Sequence, residues 1–145
     1  MTEYKKSSEV LVFNDKGELL LQMRAANDDS FPSHWSFSAG GGVESGEDAK
    51  LSAEREVKEE LGVDAKAEFV REEHLTYPSW TPNVMREEDL SLYKTHHNGP
   101  FNLDTKEIEK VEFFALDTIK KMIASGEKFH PSFVLLYNKG VYARI

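Results

Sequence analysis

The sequence predicts an α/β fold in one domain spanning residues 1–145. Three observations carry that expectation. Apolar runs of strand length lie on either side of a central segment, that segment is bounded by helix start and stop signals, and two shorter helical patterns lie near the C-terminus.

Glu9 to Phe13 and Glu18 to Met23 are apolar-rich and flank Asn14-Asp15-Lys16-Gly17, a turn sequence that predicts a β-hairpin. Trp35 to Ser38 is strand-like and leads into Gly40-Gly41-Gly42, which reads as a loop. Ser45-Gly46-Glu47-Asp48 supplies capping oxygens and acidic residues for a helix start, and Gly62 stands where a left-handed C-terminal residue belongs. A helix is therefore expected from about Glu47 to Leu61. Ala67 to Thr76, Glu88 to Thr95 and Val111 to Ala115 are strand candidates, separated by Tyr77 to Asn83 and His97 to Thr105. Leu116 to Ala124 and Phe133 to Asn138 have the apolar spacing of short helices, the first ended by Gly126 and the second introduced by Pro131. No repeat, low-complexity tract or linker divides the chain.

The absence of cysteine excludes disulfides, thiolate metal sites and a cysteine nucleophile, and suits the cytoplasm. The polar start, with Lys5 and Lys6, and the lack of any long apolar run predict an unprocessed protein with no membrane partner. A formal net charge of -8 argues against stable nucleic-acid binding, which depends on neutralising phosphates. An acidic protein can still bind a polyphosphate small molecule if divalent cations stand between its carboxylates and the phosphates.

The glutamates that would hold such cations are concentrated in the central helix. Spacings of three and four place Glu56, Glu59 and Glu60 on one face, where like charges destabilise a helix unless a cation lies between them. Ala49, Ala53, Val57 and Leu61 form an adjacent apolar stripe that would seat the helix on a sheet and leave the acidic edge open. Arg55 is within reach of Glu47 or Glu59. The glycines before the helix let the backbone fold tightly against the site, where a carbonyl such as that of Gly40 offers a further ligand. For an arbitrary glutamate-rich helix, a solvated acidic face is the more common explanation.

The pattern from Gly41 to Val63 reverses that weighting. Gly41, Glu47, Arg55-Glu56-Val57, Glu59-Glu60 and Gly62-Val63 match every defined position of the Nudix box, a coincidence expected on the order of once in ten million for a chain of this length. The chain thus resembles the Nudix hydrolase superfamily. The resemblance implies a mixed β-sheet sandwiched between helices, with a loop-helix-loop catalytic motif. It also implies hydrolysis of a diphosphate linkage in a nucleoside diphosphate joined to another moiety. Mg²⁺ is the cofactor it implies, with Mn²⁺ as the alternative, held by Glu56, Glu59 and Glu60. One of these would assist as base, and Glu47 and Arg55 would support the loop and helix. Family members often recruit an acidic residue from outside the box, for which Glu87 and Glu88 are candidates, and often form homodimers.

For the substrate, Arg24, Trp35, Trp80 and Arg86 are the candidate contacts, with Phe31 and Tyr77 as further aromatics. Trp80 stands out because it lies in the proline-bearing loop Tyr77-Pro78-Ser79-Trp80-Thr81-Pro82. His96 and His97, adjacent on a strand, point to opposite faces and do not form a chelating pair. The segments Leu19 to Arg24 and Phe31 to Trp35 are similar to the isopentenyl diphosphate isomerase branch of the superfamily. That branch uses a cysteine and metal-binding histidines where this chain reads Ser38-Ala39-Gly40-Gly41-Gly42. A non-catalytic nucleotide-binding module is the third reading, disfavoured because every box glutamate is present.

Overall fold

The computed structural model describes residues 1–145. Its frame is β1 (Thr2–Phe13), β2 (Leu19–Arg24), β3 (Trp35–Ser36), β4 (Ala39–Gly42), α1 (Ala49–Leu61), β5 (Glu68–Pro78), β6 (Met85–His96), β7 (Ile108–Phe114), α2 (Leu116–Ala124) and α3 (Pro131–Asn138). The seven strands form one mixed sheet in the order β3-β2-β1-β6-β5, with β4 paired to β1 and β7 to β2.

β1 organises this sheet. It runs parallel to β6 from Thr2↔Met85 to Phe13↔His96 and antiparallel to β4 from Ser7↔Gly42 to Val10↔Ala39. The expected hairpin with β2 is present at Phe13↔Leu19, where Asn14 Oδ1 accepts from the N–H groups of Lys16 and Glu18. β1 nevertheless starts at Thr2 rather than Glu9, because its polar first half is held by ladder bonds to β6 rather than by an apolar pattern. The glycines expected in a loop instead form β4, because their partner strand supplies the missing regularity.

Alternation along the strands divides the core in two. Val10, Val12, Leu20, Tyr93 and Ile108 pack beneath Ala53, Val57 and Leu61 of α1. Leu11, Leu19, Leu21, Leu90 and Leu92 face the opposite way, against Ile119 and Met122 of α2 and Phe133 and Leu136 of α3. The sheet is thus sandwiched between helices, in agreement with the resemblance. Asp48 caps α1 by accepting from the Leu51 N–H at 2.8 Å, so the helix begins two residues later than the sequence signals suggest. No helix is long and apolar enough to cross a membrane.

Candidate active site

α1 meets the sheet where β4 crosses β1. Ser52 of α1 bonds Ser8 of β1 at 3.1 Å, and the next turns of the helix bring Glu56 and Glu60 down onto Gly41 and Gly40. The expectation that the acidic edge stays open is corrected here. Glu56 and Glu60 are 9% and 4% exposed, and only Glu59 faces solvent. The buried face of α1 is wider than its apolar stripe, so these two carboxylates turn inward with Val57 and Leu61.

The glycines permit this approach. A Cβ on Gly41 would stand 2.8 Å from Glu56 Oε1. Gly40, at φ +155, would place one 1.9 Å from Glu9 Oε2 and 2.6 Å from the Ser8 carbonyl oxygen. Only glycine fits at position 40, and a side chain at position 41 would require the end of Glu56 to move.

Two further carboxylates approach from the strands. Glu88, on β6, is 1% exposed and accepts from Ser7 Oγ and the Tyr77 hydroxyl. Glu9, on β1 opposite Gly40, is half-buried, and burial pushes its pKa up to about 8, with Lys5 opposing and Glu88 and Glu56 adding to the shift. Burial also raises the Glu60 carboxyl well above its usual range. Its contact with and repulsion from Glu56 add to that shift, while the 2.8 Å bond from Gln22 Nε2 opposes it.

Arg55 is the main counter-charge. It donates to Glu47 through Nε and Nη2 at 2.8 and 3.2 Å, and through Nη1 to Glu56 and Glu59, each at 3.1 Å. The Arg55 bond holds Glu47 below the ordinary carboxylate range, and Glu47 in turn accepts from the Glu44 N–H. The guanidinium thus ties the loop before the helix to the helix itself, reaching both partners expected for it and Glu56 besides.

As they stand, no three acidic or histidine side chains close into a cage around one point. Glu59 leans onto Arg55, and Glu88 is occupied by Ser7 and Tyr77. The donor set nevertheless fits a hard divalent cation. Glu9, Glu56, Glu60 and Glu88 are desolvated oxygen donors that repel one another, and one cation is shared among Glu47, Glu56 and Glu59.

Beside these carboxylates lies a polar cleft of about 430 Å³, bounded in part by Lys5, Arg24, Gly41, Glu60 and Lys106. Arg24 lines it, but its guanidinium is engaged by Asp28 and by the carbonyls of Ser30 and Phe31. In the same segment Phe31 and Ser33 take φ +48 and +56, unfavourable for side-chain-bearing residues by of order 1–3 kcal/mol each. Phe31 packs on His130, His34 and Trp80, with ring centroids 4.6, 5.5 and 5.2 Å away, and Trp80 keeps nearly half its surface exposed. Arg86 is largely buried next to Tyr77 on the paired strand, with only a 3.5 Å contact to Glu3 and no partner for Nε.

Trp35 does not join this group. It is buried on β3, edge-on to Phe114 and with Lys110 over its ring, so it has no free face for a substrate. Glu87 points to the opposite face of β6 from Glu88, towards His74, which removes it from the site. Sequence reasoning misses Glu9 and Gln22 as site residues, and expects Tyr77 as a substrate contact where the structure has its hydroxyl bonded to Glu88. In sequence Glu9 reads as the polar start of a strand, and only the β1–β4 pairing shows what it faces.

The NUDIX domain family matches residues 4–136. An uncharacterized Nudix hydrolase of Listeria innocua is 32% identical over 126 residues, covering 87% of this chain and 72% of that protein. Another, from Pseudomonas aeruginosa, is 32% identical over 104 residues, covering 72% and 59%. Among solved structures, a MutT protein of Methanosarcina mazei superposes with a TM-score of 0.77 at 21% identity, covering 99% of this chain and 93% of its own. A Deinococcus radiodurans protein gives the same score at 22% identity, covering 93% and 82%. The loop-helix-loop that carries the carboxylates lies inside the matched region, and the chain belongs to the Nudix family of hydrolases.

Proposed function

We propose that this chain is a cytoplasmic enzyme that hydrolyses a diphosphate linkage in a nucleoside diphosphate joined to another group, with Mg²⁺ as its cofactor and Mn²⁺ as a substitute. The observation that carries the reading is the pair of buried glutamates, Glu56 and Glu60, held against side-chain-free backbone at Gly40 and Gly41. Nudix hydrolases in general use divalent metal ions, and desolvated, mutually repelling carboxylates can stay ionised together at neutral pH when a cation lies between them.

Glu56, Glu59 and Glu60 would hold the metal, with the Gly40 carbonyl and Glu88 completing the set. Glu9, beside Gly40 on the paired strand, would be a further ligand. When bound, the metal neutralises the phosphoryl oxygens and lowers the pKa of a coordinated water. The residues of the chain do the rest. The glutamates of α1 are positioned to take the attacking water's proton. Arg55 and Glu47 fix the approach of the loop to the helix, so the carboxylates keep their spacing as they bind and release. Trp80, with Phe31 and His34 behind it, offers an aromatic face for the base, and Arg86 offers a poorly partnered guanidinium for an anionic oxygen.

The isomerase reading loses ground on geometry. Of the glycines standing where that branch has its cysteine and histidine, Gly40 has no room for a Cβ beside Glu9 and the Ser8 carbonyl, and one on Gly41 would displace Glu56. The test is hydrolysis of nucleoside triphosphates, dinucleotide polyphosphates, nucleotide sugars and prenyl diphosphates, with Mg²⁺ and with chelator, and products separated by ion exchange. Metal-dependent cleavage that disappears in Glu59→Gln and Glu60→Gln is expected. No cleavage of any of them would sink the proposal.

A further inference from the structure

The polar cleft beside Glu60 and Gly41 separates two kinds of substrate. Ala25 is its one apolar lining residue; Lys5, Asn27, Lys106 and Glu107 contribute charged and amide groups to the remaining wall. At about 430 Å³ it is large enough for a small organic group. A hydrocarbon chain placed there would strip water from ammonium, amide and carboxylate groups without replacing their hydrogen bonds, whereas a sugar's hydroxyls would replace them.

Lys5 is the most informative of these residues. It lies on β1, four residues before Glu9 and on the same face, next to Glu88 across the β1–β6 ladder. Its charge lowers the pKa of Glu9, yet it forms no ion pair with any carboxylate, in a chain with 26 acidic residues. The neighbouring Glu88 is already engaged by Ser7 Oγ and the Tyr77 hydroxyl, which leaves the Lys5 ammonium without a direct carboxylate contact. Arg24, the other cation near the cleft floor, is already held by Asp28 and two carbonyls. Lys106, on the exposed segment before β7, likewise has no acidic partner and faces the cleft.

We infer that this cleft receives the group linked to the nucleoside diphosphate, that this group is a hydroxyl-rich sugar, and that Lys5 holds an oxygen of the adjoining phosphoryl group. The inference rests on the hydrolase reading for the placement of the scissile linkage, but it concerns binding and can fail separately. The phosphate is a point-charge partner for the lysine, and Asn27 and Glu107 supply the amide and carboxylate that recognise hydroxyls.

The experiment measures ADP-ribose, UDP-glucose and dimethylallyl diphosphate binding by calorimetry with Mg²⁺ in a Glu59→Gln background, and hydrolysis kinetics in the otherwise unchanged chain. Lys5→Met is expected to weaken binding of the nucleotide sugars about tenfold or more, raising KM while leaving kcat and the melting temperature unchanged. Lys5→Arg should recover most of the affinity, and Lys106→Met should show a smaller loss of the same kind. Dimethylallyl diphosphate should bind at least tenfold more weakly than either nucleotide sugar. Unchanged nucleotide-sugar affinity in Lys5→Met, or tighter binding of the prenyl compound, would overturn the inference. Lys5-dependent binding of a nucleotide sugar that is never cleaved would leave it standing and remove the hydrolase reading instead.

Discussion

α1 and α2 lie on opposite faces of the same sheet and bury different things. α2 buries Ile119 and Met122 and turns its charged residues to water, as an amphipathic helix does. α1 buries Ala53, Val57 and Leu61 and, beside them, Ser52, Glu56 and Glu60. Burying a carboxylate opposes folding unless something compensates it, and Glu60 has only the partial compensation of Gln22 and the Gly40 N–H. On α2 burial serves stability, while on α1 part of it works against stability. That is the pattern expected where function sets the residue.

The sharpest test of this contrast is a pair of substitutions. Glu60→Gln is expected to lower kcat/KM by roughly three orders of magnitude. In chelator the same variant should be as stable as the parent or more so, since the amide relieves repulsion from Glu56 and Glu9. Ile119→Ala should do the reverse, losing about 2–5 kcal/mol of stability with kcat/KM per folded molecule unchanged. Steady-state kinetics and urea denaturation on both variants decide it. Comparable destabilisation by the two would show that Glu60 is an ordinary core residue.

Gly41→Ala probes the same helix from the strand side. Its Cβ would meet Glu56 Oε1 at 2.8 Å and Cδ at 3.1 Å, and the flexible end of that glutamate would have to move. Activity should fall about 100-fold with little change in melting temperature, because a displaced ligand costs function and the backbone at Gly41 needs no unusual φ. A variant that kept full activity would mean Glu56 works in a position other than the one seen.

How much of this is legible in the sequence follows the same division. The motif from Gly41 to Val63 is enough to identify the helix, its glutamates, Arg55 and its Glu47 and Glu59 partners, because their spacing is local and an α-helix converts it directly into a face. What α1 faces is not legible. Helical periodicity reveals the apolar stripe but not its width, so it predicts Glu56 and Glu60 at an open edge, whereas they lie beneath β4. Glu9, Lys5 and Gln22 reach the site through strand pairings between distant segments, and no local pattern encodes those. Trp35 misleads for the same reason: an aromatic beside the glycines is near the site in sequence, but β3 turns it into the core.

Arg55→Lys tests whether geometry or charge matters at the hinge of α1. Lysine keeps the charge and loses the fork that spans Glu47, Glu56 and Glu59. Activity should drop about tenfold, with the metal concentration for half-maximal rate raised by a similar factor. An unchanged metal requirement would confine Arg55 to neutralising charge.

α3 supplies the third term of the comparison and the smallest effect. Its N-cap is His130, whose Nδ1 accepts from the Ser132 N–H at 3.2 Å while the ring packs on Phe31 and Tyr77. Burial, reinforced by the charges of Arg24, Lys5 and Arg86, pushes its pKa down to about 2. Here a buried titratable group works against stability only in acid. Below the unfolded value of about 6.5 the unfolded chain takes up a proton that the folded chain refuses, so this contribution is complete above that pH and shrinks as pH falls towards 2. The slope attributable to His130 is at most about 1.4 kcal/mol per pH unit. His130→Asn keeps a capping oxygen for Ser132 and removes the titration, so its stability should fall less steeply than the parent's between pH 6.5 and 5. Urea denaturation across that range measures the difference. Parallel curves would mean that His130 takes up its proton in the folded state and that the packing around Phe31 opens to admit it.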